Sequence, residues 1–333
     1  MRSRSALTAA FISAALLLTG CSGGDDKDTR AAGEPAAESV EPATWPLTGE
    51  ELPEGKAAER NHPVLVAKID NTSSASPQVG LGQADLVFEE LVEGRMTRLA
   101  AFFYSTLPTE VGPVRSMRAT DIGIVSPVDG VLVTSGAAQE TKDRLQRAGV
   151  TYLEEGVAGF RRDPSRSQTY SVMADLKELA KGKKAKPARP DDYFAFGATE
   201  DLPQGKPAKS FDVDFGNHTT SWAFNNGTYA NVNGLAGQGD EFPATNVLVI
   251  RVKVVDAGYT DASNSFVPES VFEGEGQAQL FHGGKVIDAT WSKDSRSGEL
   301  ALEANGEELK MPVGKTWVEL LPVDDAEVTV RKN

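Results

Sequence analysis

The chain has 333 residues, a formal net charge of -14, a single cysteine and three histidines. One cysteine excludes intrachain disulfides, a CxxC redox pair and a cysteine-rich metal site, and His62, His218 and His282 lie too far apart in sequence to suggest a metal cluster. The acidic balance argues against nucleic acid and against direct electrostatic docking on anionic lipid.

Residues 1–20, MRSRSALTAAFISAALLLTG, open with two arginines and continue into an apolar run, Ala6 to Leu18, that is too short to span a bilayer. They read as a lipoprotein signal peptide. Leu18-Thr19-Gly20-Cys21 matches the bacterial lipobox, in which the cysteine receives a diacylglycerol and becomes the new N-terminus. Two acyl chains anchor durably, so the mature protein is expected on the outer face of the cell membrane. Residues 21–60 are rich in Ala, Glu, Pro and Gly, with ten acidic side chains against four basic ones, and are expected to form a disordered acidic tether.

Residues 61–195 mix the two structural periods. PVLVAKID (63–70) is a short apolar run that reads as a buried strand, and QADLVFEELV (83–92) with MTRLAAFFYS (96–105) reads as a hairpin turning at Glu93-Gly94. DGVLVTSG (129–136) is a further strand, AAQETKDRLQRAG (137–149) a helix, TYLEEG (151–156) a strand and SVMADLKELAKGK (171–183) a second helix. Ser135 reads as the cap of the first of these helices. Alternating strands and helices predict an α/β domain. KGKKAKPARPDD (181–192) breaks the pattern, and beyond it alternating segments with Asn-Gly and Gly-Gly turns predict a mostly β domain over 196–333, a sandwich or small barrel.

No GxSxG elbow, GxxxxGKS/T loop, HExxH or CxxC motif occurs, and GLGQAD (80–85) is not a dinucleotide fingerprint. No cofactor is implied. Chemistry is left to polar residues at the strand ends of the first half: Asp70, Asn71, Glu90, Glu93, Arg98, Arg115 and Arg118, with Gln78, Glu89 and Asp121 nearby. In GPVRSMRATDIGIV, Pro113 is placed to start a helix, with Arg115 and Arg118 projecting from its first turn against the helix dipole. Two accounts fit. In one, Asp70, Glu90 or Glu93 pair with the arginines and lock the sheet edge; in the other, the guanidinium forks bind a carboxylate or phosphate of an envelope ligand. An Asp70–Glu90 pair suits general acid-base chemistry or a divalent cation held by oxygen ligands.

VAKIDNTSSASPQVGLGQADLVFEELVEGRMTRLAAFFYS with GPVRSMRATD, and GEGQAQLFHGGKVIDATWSKD with MPVGKTWVELLP, resemble the two-part domain of the YerB-like bacterial lipoproteins. The resemblance implies an extracytoplasmic lipoprotein with an α/β N-terminal domain and a β-rich C-terminal domain. It assigns no catalytic residue. Trp291, Lys293 and Trp317 match the C-terminal pattern, and the two tryptophans, with Phe102, Phe103 and Tyr104, read as core; Asn231 and Asn233 stand where the family usually carries an arginine-containing stretch. The expected function is a membrane-anchored binding or scaffold protein that recognises an anionic envelope polymer or a protein partner. The alternative is an envelope hydrolase or transferase using an Asp or Glu carboxylate with Arg115 and Arg118.

Overall fold

The structure, a computed structural model, describes residues 43–331 apart from residue 56, residues 184–188 and residues 262–263. The expected signal peptide, the Cys21 anchor and the first part of the tether lie outside the described residues. The end of the expected tether is ordered, which corrects that reading. Trp45 N–H donates to Glu50 O at 2.9 Å, Tyr193 N–H donates to Pro46 O, and Leu47 and Ala58 are buried. Two apolar side chains, Trp45 and Leu47, hold this stretch on the core, although the average composition around them is that of a linker.

The first half contributes β1 (Leu65–Asp70), β2 (Leu86–Leu91), β3 (Thr97–Phe103), β4 (Val131–Thr134) and β5 (Tyr152–Glu154). The second half supplies β6 (Ser210–Asp214), β7 (Thr219–Asn225), β8 (Thr228–Asn231), β9 (Asn246–Thr260) and β10 (Phe266–Val271), then β11 (Gly274–His282), β12 (Lys285–Lys293), β13 (Ala301–Ala304), β14 (Thr316–Pro322) and β15 (Glu327–Val330). One sheet of thirteen strands runs through both halves, with β13, β12, β11, β9, β14, β2, β3, β1, β4 and β5 in that order along it. Its seam is the parallel pairing of β2 with β14, from Leu86–Thr316 to Glu90–Leu320. Strands β1, β2 and β14 carry no exposed residue, as expected of strands covered on both faces.

A four-stranded sheet, β8-β7-β6-β15, covers one face. Phe211 stacks on Phe281 there, and Trp222 meets Trp317 edge-on at 5.3 Å between ring centroids. The other face is covered by α1 (Asp121–Val125), α2 (Gln139–Arg147) and the Tyr193–Phe194 segment, which bury Phe88, Phe102, Ile124 and Leu145. The chain is therefore an α/β half followed by a mostly β, sandwich-like half, as the periodicities predict.

Two helices differ from the sequence reading. After Pro113 the chain stays extended: Asp70 N–H donates to Pro113 O, Arg115 N–H to Lys68 O and Val114 N–H to Val172 O. These bonds add residues 113–115 to the sheet edge, so the helix begins only at Asp121, and Arg115 and Arg118 precede it. The second expected helix shortens to α3 (Leu176–Ala180), capped by Asp175 Oδ1 accepting from Glu178 N–H at 2.9 Å. The residues before it, Val172–Ala174, form a strand against Phe160–Arg162.

Candidate functional site

Strands β1 and β2 both pair antiparallel with β3, and β4 and β5 follow β1 in parallel, so the C-terminal ends of β1, β2, β4 and β5 share one edge of the sheet. The register sets Asp70, Arg98 and Glu90 opposite one another across β1, β3 and β2. Cross-strand partners lie on one face, so Arg98 stands between the two carboxylates. The Asp70–Glu90 pair considered for acid-base chemistry or a cation does not form.

Each carboxylate takes its own cation instead. Lys68, two residues before Asp70 on the same face, donates to Glu90 Oε1 at 2.5 Å and to Asp121 Oδ1 at 2.7 Å, and all three side chains are inaccessible to solvent. Asp121 Oδ2 accepts the Arg118 backbone N–H at 2.7 Å. Arg118 is held by both oxygens of Glu93 at 2.7 Å, and its remaining Nη1 donates to Met117 O. Arg115 Nε lies 2.9 Å from Asp70 Oδ2, with the N–H pointing off the oxygen, and Nη1 donates to Thr169 O at 2.9 Å. Arg98 Nη1 donates to Ser116 O at 2.9 Å, its Nε finds no acceptor, and among the described residues it forms no ion pair. Glu90 Oε2 is likewise buried without a partner.

These contacts set the protonation states. Burial, then the neighbouring Asp121 charge, push the Glu90 carboxyl up to about 7 despite Lys68. Burial lowers Arg98 to about 10, and the positive charges of Arg118 and Arg115 add to that. Burial also acts to raise Glu93, but the Arg118 fork outweighs it and holds the carboxyl below its ordinary range.

Above this network opens a cleft of about 570 Å³ lined by Arg115, Ser116, Arg118, Ser135, Glu154 and Tyr259, among others. Tyr259 comes from the β9–β10 hairpin and bonds Thr141 of α2, so one wall belongs to the second half of the chain. Ser135 lines the cleft and leaves α2 without a side-chain cap, contrary to the sequence reading. Glu154 is occupied by Lys142 at 2.7 Å from both oxygens. Arg115 keeps 27% of its side chain exposed, against 12% for Arg118, and its Nη2 has no partner among the described residues. Asp70, Glu90, Glu93, Arg98, Arg115 and Arg118 thus meet in one network. Lys68, which ties it together, has only a faint sequence signal: a lysine inside the otherwise apolar run VAKID.

Asn71 does not join them. It points to the opposite face, where Nδ2 donates to Glu89 Oε1 at 3.0 Å and to Thr97 Oγ1 at 2.9 Å. Glu89 stands beside Glu319 across the seam. Trp317 donates its indole N–H to Glu89 Oε2 at 3.2 Å, Trp222 donates to Glu319 Oε1 at 3.0 Å, and His218 Nε2 lies 3.1 Å from Glu89 Oε1. Burial and the Glu89 charge push the Glu319 carboxyl far above its ordinary value. Burial acts to raise Glu89 as well, yet His218 holds it below. Both carboxyls are fully buried, so this cluster locks the two sheets together and offers no open surface. Asn71, Glu89 and Trp317 stand out in the sequence, but their meeting with Glu319, Trp222 and His218 rests on tertiary pairing that no local signal marks.

Of the two asparagines noted after the aromatic segment, Asn233 is a structural amide, its Oδ1 accepting from Ser221 N–H and its Nδ2 donating to Thr219 O, whereas Asn231 Oδ1 is buried without a partner among the described residues. Among the described residues no three His, Cys, Asp or Glu side chains are grouped so as to hold a metal ion, and no helix is long and apolar enough to cross a membrane.

Both halves of the chain match one family, protein of unknown function (DUF3048): its N-terminal domain over residues 47–189 and its C-terminal domain over residues 211–318. The chain belongs to this family. One relative is YerB of Bacillus subtilis (strain 168), which is named as a lipoprotein and is 29% identical over 293 residues, 84% of this chain and 87% of that one. The crystal structure of the YerB protein from Bacillus subtilis matches with a TM-score of 0.70 at 24% identity, over 86% of this chain and 99% of the other, which shows a shared fold.

Proposed function

We propose that the protein is a lipoprotein anchored through Cys21 to the outer face of the cell membrane, where it binds an anionic group of an envelope component. The observation that carries this reading is the unequal use of the three guanidinium groups at one sheet edge. Among the described residues Arg118 is closed by Glu93, Arg98 is buried without a direct ion pair, and Arg115 keeps an open edge in the cleft above them. An anion seated on Arg115 gains a guanidinium group suited to carboxylate or phosphate. The hydrolase alternative has little support, since Glu90 is sealed and Asp70 is engaged by Arg115 and Thr72.

The test is thermal unfolding of the purified protein against increasing sulfate at constant ionic strength. Wild type should gain stability with sulfate, because a ligand that binds only the folded state stabilises it. Arg115→Ala should fold normally and lose that gain. Arg118→Ala should lose about 1.5–3 kcal/mol without any ligand, because it strands a half-buried Glu93. An Arg115→Ala protein that responds to sulfate as wild type does removes the cleft from the account.

A further inference from the structure

The cluster beneath the cleft holds four cations, Lys68, Arg98, Arg115 and Arg118, and four carboxylates, Asp70, Glu90, Glu93 and Asp121. Its formal charges balance, so an added anion unbalances them. Three of the carboxylates are well served: Asp70 by Arg115 and the Thr72 N–H, Glu93 by both arms of Arg118, and Asp121 by Lys68 and the Arg118 N–H. Glu90 is the poorest served. It shares one ammonium with Asp121, and its Oε2 is buried with no donor.

We propose that capture of an anion in the cleft is coupled to uptake of one proton by Glu90, so that the site binds more tightly as its surroundings become more acidic. This rests on the reading of the Arg115 cleft as an anion site. The step is a simple protonation: a solvent proton adds to Oε2, the carboxylate becomes a carboxylic acid, and Oε1 still accepts from Lys68. An anion on Arg115 draws on the positive field of Arg115 and Arg98 that otherwise compensates the cluster, and the weakest-held carboxylate then neutralises. Glu90 is already poised for this, since burial and Asp121 place its titration near neutrality.

The charged groups on the face of Glu90 come from the neighbouring elements, while Glu319 of the paired strand β14 lies on the opposite face beside Glu89. Those on the face of Glu90 are Lys68 on β1, Arg98 on β3, Asp121 on α1 and Arg118 ahead of α1. From β10, which packs against β2, the charged residue is Glu269, and it is paired with Arg144 at 2.5 Å. The sign follows from linkage. If the bound state holds the Glu90 proton more tightly, affinity rises as pH falls through about 7 and levels off once Glu90 is protonated in both states.

Calorimetric titration with sulfate, whose charge stays constant near neutrality, tests the coupling. In two buffers of different ionisation enthalpy, the difference in heat counts the protons taken up on binding. Wild type should bind at least about fivefold more tightly at pH 6 than at pH 8, with proton uptake near pH 7. Glu90→Gln keeps the shape and the neutral charge of the protonated acid, so it should bind at both pH values with the low-pH affinity and take up no proton. Should that variant fold poorly, the carboxyl carbon resonance of Glu90 in the wild type should shift its midpoint to higher pH when sulfate is added. Sulfate binding with no proton uptake and no pH dependence overturns the coupling while leaving the anion site intact. A pH dependence that survives Glu90→Gln, or that disappears with His218→Gln on the opposite face, overturns it equally. Absence of sulfate binding at every pH sinks the anion site itself, and the coupling with it.

Discussion

Replacing Lys68 by alanine is expected to destabilise the protein by about 3–5 kcal/mol, the range for removing one partner of a buried ion pair. The effect is large because one ammonium serves two sealed carboxylates. With Lys68 gone, Glu90 and Asp121 face each other without a cation, while Arg98, in the same cross-strand row, is too busy with Ser116 and too poorly placed to form an ion pair. Glu90 then takes a proton, and the loss should shrink as pH falls. Urea unfolding of the variant against wild type measures it. The double variant Lys68→Met, Glu90→Leu should recover part of the stability, since an apolar pair of similar volume needs no counterion. A Lys68→Ala loss below about 1 kcal/mol contradicts the network.

The second large effect divides a pair of like residues. Glu89 is the charged member: it accepts from Asn71, Thr220 and Trp317 and faces His218. Glu89→Gln puts an amide nitrogen among those donors and removes the counterion of His218, so a loss of about 2–3 kcal/mol is expected at pH 7. Glu319 is the protonated member, and Gln reproduces its uncharged state. Because its folded proton affinity is raised, Glu319 contributes stability that is fully present below the ordinary carboxyl range and is lost as pH rises toward the folded value. Glu319→Gln should therefore match wild type in mild acid and exceed it at neutral pH. His218 is raised by Glu89, although burial acts to lower it, so its contribution is likewise present below the ordinary histidine value and fades as pH climbs through the folded one. If Glu319→Gln and Glu89→Gln lose equal stability at pH 7, the assignment of the proton to Glu319 is wrong.

Local periodicity made most of the strands legible. The hairpin of β2 and β3 around Glu93-Gly94, the strand PVLVAKID and the β11–β12 hairpin at Gly283-Gly284 lie where their alternation and turn residues put them. What the sequence did not reveal is non-local. The pairing of β2 with β14 joins residues more than two hundred positions apart, and no turn signal marks it, so a single sheet through both halves could not be read from the chain. The same pairing brings Glu319 to Glu89, which hid the buried dyad. The stretch after Pro113 misled for a different reason. Its apolar spacing suits a helix, but the free edge of β1 takes its backbone donors first, and Arg115 and Arg118 are carried to the cleft by an extended segment. The prediction that acidic strand ends would engage the arginines holds for Asp70 with Arg115 and Glu93 with Arg118. Arg98 could be named from sequence, but its lack of a direct ion pair among the described residues depends on Lys68 taking Glu90 first.

The most direct test of the anion cleft is a crystal of the protein soaked in selenate and measured at the selenium absorption edge. The account predicts an anomalous peak within hydrogen-bonding reach of the Arg115 guanidinium, inside the cleft bounded by Ser135 and Tyr259, that is absent from crystals of Arg115→Ala. Selenate ordered elsewhere on the surface, with the Arg115 edge bare at the same concentration, would contradict it.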